Sequence, residues 1–323
     1  MRIVIPGGSG QVGTILARAF HGEGHEVVVL SRVSQVRPWR VVEWDGRTVG
    51  AWHSEVDGAD AVINLAGRSV NCRYNAANRR DILQSRIEST RVVGEAIARA
   101  KRPPRVWLQA STATIYAHRY DGANDERSGV LGGAEANAPS SWRFSIDVAR
   151  AWERAFDEAA TPVTRKVALR SAMTLSPDAG GVFDTLLGLV RRGLGGSAGD
   201  GRQYMSWIHY EDFVRAIDWL IERSDIHGIV NVASPNPLPN ADFMRTLRQA
   251  YGVPFGLAAG NWMLEIGAAV LRTETELVLK SRRVVPQRLI EQGFTFSFPR
   301  WDAAAEDLCR RWKTWRRTSA AAA

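Results

Sequence analysis

The sequence is poor in cysteine and in lysine, and it has no long apolar run. Its 323 residues include only two cysteines, Cys72 and Cys309, which is too few for a disulfide framework, so we expect a reducing compartment and a cytoplasmic protein. No stretch of about 18 apolar residues occurs, so neither a membrane span nor a membrane partner is expected. The first residues enter a strand-like run without a signal-peptide pattern. No spacing of histidine, cysteine and acidic residues fits a set of metal ligands, so we predict no metal site.

A glycine-rich turn follows the first apolar run. Residues 2–6 predict a buried strand, and residues 11–21 carry apolar side chains at helical spacing. The pattern Gly-x-x-Gly-x-x-Gly between them is formed by Gly7, Gly10 and Gly13. Such glycines permit a tight turn, a close approach of backbone to a pyrophosphate, and close helix–strand packing. The helix that opens at Gln11 and Val12 offers free backbone N–H groups to an anion, so we predict a dinucleotide site; an ordinary loop is the alternative.

The end of the second predicted strand carries information about the cofactor. Residues 26–30 form a β-branched run, and Ser31 and Arg32 follow it. Sites for NAD usually place an acidic residue here to bind the ribose hydroxyls, whereas a 2′-phosphate favours arginine. Because a guanidinium offers a planar fork to phosphate, the sequence favours NADP(H) over NAD. A solvated loop arginine is the alternative.

The net charge of +8 has two interpretations. The basic residues are nearly all arginine, since the only lysines are Lys101, Lys166, Lys280 and Lys313. Such a charge could serve nucleic-acid binding, or it could reflect a solvated surface that attracts a phosphorylated cofactor. We favour the second interpretation and expect no nucleic-acid partner, because no nucleic-acid motif accompanies the charge.

Strand-like and helix-like segments alternate through the first half of the chain. This alternation predicts an α/β fold with a Rossmann-type doubly wound parallel sheet, followed by a smaller and mostly helical C-terminal substrate region. The predicted domains are a cofactor-binding core (1–171), an interleaved substrate region and C-terminal helical segment (172–318) from which a strand near 229–233 returns to the core, and a disordered tail (319–323). Residues 293–299 alternate apolar and polar side chains and predict one further short strand.

Two further strand ends carry candidate ligand-binding residues. The fourth strand ends in Leu65, Ala66 and Gly67, whose small side chains let backbone approach a ligand. The fifth strand runs into a hydroxyl-rich stretch at Ser111 and Thr112, where α/β proteins bind their ligands. Residues 117–140 follow as a long predicted loop.

These stretches together resemble the extended and atypical short-chain dehydrogenase/reductases, in particular the "epimerase family" branch with an extra C-terminal helical segment. The matching blocks span nearly the whole chain in order and include GGSGQVG (7–13), VVLSR (28–32), VINLAG (62–67), SRIEST (85–90), STATIY (111–116), SWIHYEDF (206–213) and RVVPQRLIEQGFTFSFP (283–299). The resemblance implies a Rossmann fold, NADP use and a cytosolic location.

The resemblance also implies positions of contact with the cofactor. The three glycines would hold the pyrophosphate, Ser31 and Arg32 the 2′-phosphate end, and Leu65 and Ala66 would line the adenosine-to-ribose region. Asp81 and Arg86 match an acidic–arginine pair of the family near the cofactor. Met173 stands where the family uses a backbone contact to the nicotinamide end.

The usual catalytic pair of the family is missing. Short-chain dehydrogenases place Tyr and Lys four residues apart on one helix face, where the lysine lowers the tyrosine pKa. None of the six tyrosines has a lysine four residues later, and alignment on Glu153 puts Ser145 and Ala149 at the two positions. Thr112 remains as the hydroxyl component, and Tyr116 could donate to a carbonyl, although a packed aromatic is the alternative. His209 could titrate near neutral pH or be structural, and His118 is a weaker candidate.

From these residues we predict an NADP(H)-dependent oxidoreductase or epimerase-like protein that acts on a small organic carbonyl, alcohol or alkene. Thr112 and Tyr116 are its candidate catalytic residues. A protein that binds NADP(H) without turnover, as a redox sensor or scaffold, is the alternative. We expect a small-molecule substrate and a monomer or homodimer.

Overall fold

A computed structural model describes residues 1–135, 138–260 and 274–321. The strands are β1 (Arg2–Pro6), β2 (Glu26–Ser31), β3 (Arg40–Glu43), β4 (Ala61–Asn64), β5 (Val106–Thr112), β6 (Arg165–Ser171), β7 (Met173–Leu175), β8 (Tyr204–Met205), β9 (Trp207–His209), β10 (Gly228–Val232) and β11 (Leu238–Pro239). The α-helices are α1 (Gln11–Gly22), α2 (Ala76–Arg99), α3 (Arg143–Asp157), α4 (Val182–Arg191), α5 (Tyr210–Glu222), α6 (Asn240–Tyr251), α7 (Glu276–Leu279), α8 (Gln287–Glu291) and α9 (Trp301–Ala321).

A seven-stranded sheet with the order β10-β6-β5-β4-β1-β2-β3 organises the chain. Its central strands pair in parallel; Ile3 of β1, for example, lies opposite Val27 of β2 and Ala61 of β4. The strand order reverses direction between β1 and β4, and ligands of open α/β sheets bind at such a point, at the carboxyl ends of the strands. The predicted Rossmann-type fold class is confirmed.

The chain forms two compact units. The first comprises residues 1–115, 143–171 and 214–230, and the second comprises 116–142, 172–213 and 231–323. One break thus falls at residue 172, where the sequence analysis places its boundary, whereas 116–142 groups with the second unit.

The core of the first unit is built from the β-branched strands and the helix faces that cover them. Val4, Val28 and Val62 are buried at its centre, and Val93 and Ile97 of α2 pack against the same cluster. Because the strands are apolar on both faces, they require helices on both sides of the sheet. The carboxyl ends of β1, β2, β4 and β5 are thereby held in fixed positions.

The second unit has its own aromatic core. Phe243 of α6 stacks on Trp301 of α9 with ring centroids 4.0 Å apart, and the indole N–H donates to the Phe243 carbonyl at 2.9 Å. Two small sheets accompany this core, β7 with β9 in parallel and β8 with β11 antiparallel.

Two predictions for the C-terminal region differ from the structure. The expected strand at 293–299 is wrong: the segment is irregular, because the N–H groups of Ser297 and Phe298 donate to the Asp212 carboxylate at 2.7 and 2.8 Å instead of to a neighbouring strand. Helix α9 runs to Ala321, so it includes the first three residues of the predicted disordered tail; residues 322 and 323 lie outside the described residues.

Candidate functional site

The first glycine of the turn brings two strand ends into contact. Gly7 has φ +75°, which favours glycine, and its N–H donates to the Leu30 carbonyl at 2.9 Å. A Cβ on Gly7 would lie 2.6 Å from the Ala66 Cα, so only glycine allows the segment after β4 to approach the turn. The structure thereby places Gly7, Leu65 and Ala66 side by side, as a shared cofactor site requires.

The other two glycines have different roles. A Cβ on Gly13 would lie 2.4 Å from the Gly8 Cα, so Gly13 allows the close packing of α1 on the turn. A Cβ on Gly10 would meet only the Gly7 carbonyl oxygen, at 3.7 Å, so the space beside Gly10 is open. Helix α1 begins at Gln11 and Val12 without a capping side chain or an acidic residue in its first turn. Because neither a capping side chain nor an acidic residue occupies this helix start, the open space beside it fits a bound pyrophosphate.

At the end of β2, a buried hydroxyl group is followed directly by an exposed cation. Ser31 is 3 % exposed, and its Oγ accepts from the Val33 N–H at 3.2 Å, which shapes the turn that follows. Arg32 is exposed, and its guanidinium makes no hydrogen bond or ion pair with the part of the chain that the structure describes. Among the residues with a described position, no acidic side chain therefore neutralises the Arg32 cation, which is the predicted contact for a 2′-phosphate.

Asp81 and Arg86 lie on α2 and both contact Arg68, one through its side chain and the other through its backbone. Asp81 pairs with Arg68 at 2.8 Å, whereas Arg86 Nη1 donates to the carbonyls of Arg68 and Ile82, both at 3.0 Å. A Cβ on Gly67 would lie 3.1 Å from the Arg86 Cζ, so the guanidinium borders the segment after β4. Burial lowers the pKa of Arg86 to about 10, which leaves it charged at neutral pH.

A buried ion pair that the sequence analysis did not predict supports the end of β5. Arg170 of β6 donates to both carboxylate oxygens of Glu153 on α3, at 2.8 and 2.7 Å, and the Ser111 hydroxyl donates to the same carboxylate at 2.6 Å. These contacts fix Ser111 and orient the strand end. The alignment on Glu153 drew attention to one member of this cluster, but nothing in the local sequence marks Arg170 as its partner.

Thr112, the last residue of β5, keeps a proton available for donation. Its Oγ1 accepts a hydrogen bond from the Thr114 N–H at 3.1 Å, and its own hydroxyl proton has no acceptor among the described residues. The two helix positions of the missing relay lie in the same unit: Ser145 is partly buried, and Ala149 is fully buried against the core. The hydroxyl of Thr112 thus stays the predicted catalytic group of the first unit.

Tyr116 and Met173 belong to the second unit. Tyr116 is 2 % exposed, and its hydroxyl donates to Asn231 Oδ1 at 2.9 Å. The ring is thus buried and the hydroxyl proton is donated within the second unit; a catalytic role for Tyr116 stays a prediction, and it would require this hydrogen bond to break. Met173 opens β7, and its N–H donates to the Ser206 carbonyl at 3.3 Å. Its backbone is therefore held in place by the strand pairing.

The two candidate histidines are also structural. His209 is fully buried; its Nδ1 accepts from the Glu211 N–H at 3.2 Å, and its Nε2 lies 3.3 Å from Asp307 Oδ2. Burial lowers the pKa of His209 to about 4, against the opposing charge of Asp307. His118 Nδ1 accepts from the Ser281 N–H at 2.8 Å, and burial lowers its pKa too. Both imidazoles are neutral at physiological pH and are engaged with backbone.

Neither a metal-ligand cluster nor a membrane-spanning helix occurs in the described part of the chain. Within the described ranges, no group of three or more histidine, cysteine, aspartate or glutamate side chains is arranged to hold a metal ion. Among the helices that the structure describes, none is long and apolar enough to cross a membrane.

Comparisons with known proteins agree with this geometry. The model of the NAD dependent epimerase/dehydratase family matches residues 3–233, and that of a domain of unknown function, DUF1731, matches residues 261–308, of which 261–273 lie outside the described residues. The epimerase family protein SDR39U1 of Bos taurus is 33 % identical over 314 residues, 95 % of this chain and 99 % of its own length. The epimerase family protein YfhF of Bacillus subtilis is 30 % identical and is covered completely, over 97 % of this chain.

Solved structures show the same relationship. Human SDR39U1, crystallised with NADPH, superimposes with a TM-score of 0.83 at 28 % identity, over 96 % of this chain and 99 % of its own. A nucleoside-diphosphate sugar epimerase from Corynebacterium glutamicum gives 0.74 at 28 % identity, over 96 % of this chain and 58 % of its own. The predicted resemblance is confirmed: the chain belongs to the NAD dependent epimerase/dehydratase family, in the branch of epimerase family proteins that carry a DUF1731 segment.

Proposed function

We propose that the protein binds NADP(H) at the glycine turn and acts as an oxidoreductase or epimerase-like enzyme on a small organic carbonyl, alcohol or alkene. The observation that carries this proposal is the exposed and unpaired guanidinium of Arg32, directly after β2 and beside a turn whose Gly10 side is open. An arginine fork at this position matches a 2′-phosphate, whereas a ribose diol would favour a carboxylate. The presence of NADPH in the human SDR39U1 crystal supports the same choice.

The residues of the first unit suit this cofactor. Gly7, Gly10 and Gly13 with the start of α1 hold the pyrophosphate, the segment from Leu65 to Gly67 lines the adenosine-to-ribose region, and Arg86 borders that segment. When it is bound, the cofactor supplies or accepts a hydride. Two free cysteines fit a reducing compartment such as the cytoplasm.

In this proposal, the Thr112 hydroxyl donates the hydrogen bond that polarises the substrate. Because its oxygen already accepts from the Thr114 N–H, the hydroxyl is oriented to donate its proton to an acceptor outside the chain. Such a hydrogen bond would polarise a substrate oxygen and stabilise negative charge that develops on it. The Glu153–Arg170 pair fixes Ser111, the neighbour of Thr112, and so positions this hydroxyl.

The position of Ala149 favours a second candidate function, binding of NADP(H) without turnover as a sensor or scaffold. Ala149 offers no ammonium group to lower the pKa of a catalytic acid, and Ser145 is a weak acid at neutral pH. The two functions differ in turnover and not in cofactor affinity.

The test measures the affinities of purified protein for NADPH and NADH, then screens carbonyl, enone and alcohol libraries for NADPH oxidation and NADP reduction. We expect tighter binding of NADPH and turnover that falls about 100-fold or more in Thr112→Ala but is largely kept in Thr112→Ser. Turnover unchanged in Thr112→Ala would contradict the role of Thr112. NADPH binding without turnover would favour the sensor, and preference for NADH would contradict the cofactor assignment.

A further inference from the structure

Two arginines of α2 stack on two aromatic rings of α3. Arg79 and Arg86 stand seven residues apart and therefore share one helix face. The Arg79 Cζ lies 4.8 Å from the ring centroid of Phe144, and the Arg86 Cζ lies 4.9 Å from that of Trp152. A planar guanidinium stacked on a ring loses little conformational freedom when it binds a ligand.

The stacked pair of Arg86 and Trp152 lies beside the segment after β4 that we propose lines the cofactor, because Arg86 borders Gly67. Helix α2 follows the carboxyl end of β4, and seven residues of helix span about 10 Å. Arg79 therefore lies about 10 Å further along α2, toward its start and beyond the edge of the sheet where α/β proteins bind their ligands. Phe144, in the first turn of α3, packs under the Arg79 guanidinium and so lies at the same level.

Arg79 is held in place but is not neutralised. Its Nε donates to the Tyr74 carbonyl at 2.8 Å, and Tyr74 packs edge-on against Phe144 with ring centroids 5.2 Å apart. Neither Nη of Arg79 has a hydrogen bond or an ion pair within the described part of the chain. The nearby Asp81 is already paired with Arg68. Arg79 thus presents a fixed fork of N–H donors with uncompensated positive charge.

We infer that Arg79, backed by Phe144 and Tyr74, binds an acidic group of the substrate, so that the proposed oxidoreductase acts on organic carboxylates or phosphate esters. This inference rests on the proposed function, because the bound acid is a substrate only if the protein is an oxidoreductase. A carboxylate and a phosphate monoester both match the paired N–H groups of a guanidinium. The aromatic rings around the fork favour an acid whose anionic group is attached to an apolar or planar body.

The test is calorimetric titration of the full chain, with NADPH at saturation, by benzoate, phenyl phosphate and benzyl alcohol. We expect benzoate or phenyl phosphate to bind about tenfold or more tightly than the neutral benzyl alcohol. Arg79→Gln should weaken binding of the acid about tenfold or more, and Arg79→Lys should keep part of it, because the charge remains while the fork is lost. The matched control is Arg80→Gln, which removes the same charge from the adjacent, exposed and unpaired arginine and should leave binding unchanged.

The inference would be overturned if neither benzoate nor phenyl phosphate bound more tightly than benzyl alcohol, or if Arg79→Gln and Arg80→Gln caused equal losses. Binding of the acids only in the absence of NADPH would also overturn it, because Arg79 would then contact the cofactor. A protein that binds benzoate through Arg79 but does not bind NADPH would contradict the proposed function and leave the acid site intact. Melting temperatures of all variants show whether a loss of binding reflects unfolding.

Discussion

The carboxylate of Glu153 and the guanidinium of Arg170 form a buried pair with two hydrogen bonds, 2.8 and 2.7 Å long, behind the end of β5. The pair joins α3 to β6, and the same carboxylate accepts the proton of Ser111. Since Thr112 follows Ser111, the pair connects the packing of the first unit to the hydroxyl that we assign to catalysis.

Breaking this pair from one side should destabilise the fold. Glu153→Gln leaves the Arg170 charge buried without its counterion, so we expect the free energy of unfolding to fall by about 3 kcal/mol in urea denaturation. The double variant Glu153→Met/Arg170→Met should recover much of that loss, because no unpaired charge remains.

The control is Arg99→Gln, which removes an exposed ion pair with Glu95 on α2 and should change stability by less than about 0.5 kcal/mol. A Glu153→Gln variant as stable as Arg99→Gln would show that the buried pair is not required for the fold.

Alanine substitutions at two glycines of the turn should affect folding in one case and cofactor binding in the other. Gly13→Ala puts a methyl group where the Gly8 backbone lies, so it should lower the melting temperature. Gly10 has φ −73°, which alanine adopts readily, and the nearest described atom to a Cβ there, beyond the adjacent residues, is the Gly7 carbonyl oxygen at 3.7 Å. Gly10→Ala should therefore keep its melting temperature while NADPH affinity falls about tenfold or more, since the methyl occupies the space of the pyrophosphate.

Melting curves and NADPH titrations of the two variants check this separation. Normal NADPH affinity in a folded Gly10→Ala protein would place the cofactor elsewhere.

Acid should weaken the fold through His209. Burial holds the folded-state pKa of His209 near 4, whereas the unfolded chain titrates near the ordinary value of 6.5. The unfolded state therefore binds more protons between these values, so stability is fully present above about pH 6.5 and falls as the pH drops toward 4. Near pH 5 the loss should reach about 2 kcal/mol.

Urea denaturation near pH 7 and pH 5 measures this loss. Partial burial also lowers the pKa of His118, so the decisive comparison is with His209→Gln, which removes one titrating group and should reduce the pH dependence. An unchanged pH dependence in that variant would refute the role of His209.

The sequence predicts those parts of the fold and site that depend on short stretches of chain. The glycine turn follows from the spacing of Gly7, Gly10 and Gly13, and the paired strands follow from β-branched runs such as residues 26–30. The position of Arg32 directly after the carboxyl end of β2 follows from the same local pattern. For this reason the fold class and the glycine turn between β1 and α1 were predictable.

Contacts between distant residues were not predictable in this way. The hydroxyl of Tyr116 finds its acceptor in Asn231, 115 residues away, and this contact engages the proton of a candidate donor. Asp212 takes the N–H groups of Ser297 and Phe298, so alternating aromatics at 293–299 do not form a strand. The stacking of Arg79 on Phe144 likewise depends on how α2 packs against α3. Single-sequence periodicity contains no information about such pairs.

The central claim, an NADP(H) site at the glycine turn, is tested most directly by the ratio of the dissociation constants for NADPH and NADH in Arg32→Asp. The control is Arg91→Asp, which makes the same charge change at an exposed and unpaired arginine of α2. We predict that Arg32→Asp weakens NADPH about tenfold or more while NADH is held as before or more tightly, and that Arg91→Asp leaves the ratio unchanged. Equal losses of NADPH and NADH in Arg32→Asp, or the same change of ratio in Arg91→Asp, would contradict the account.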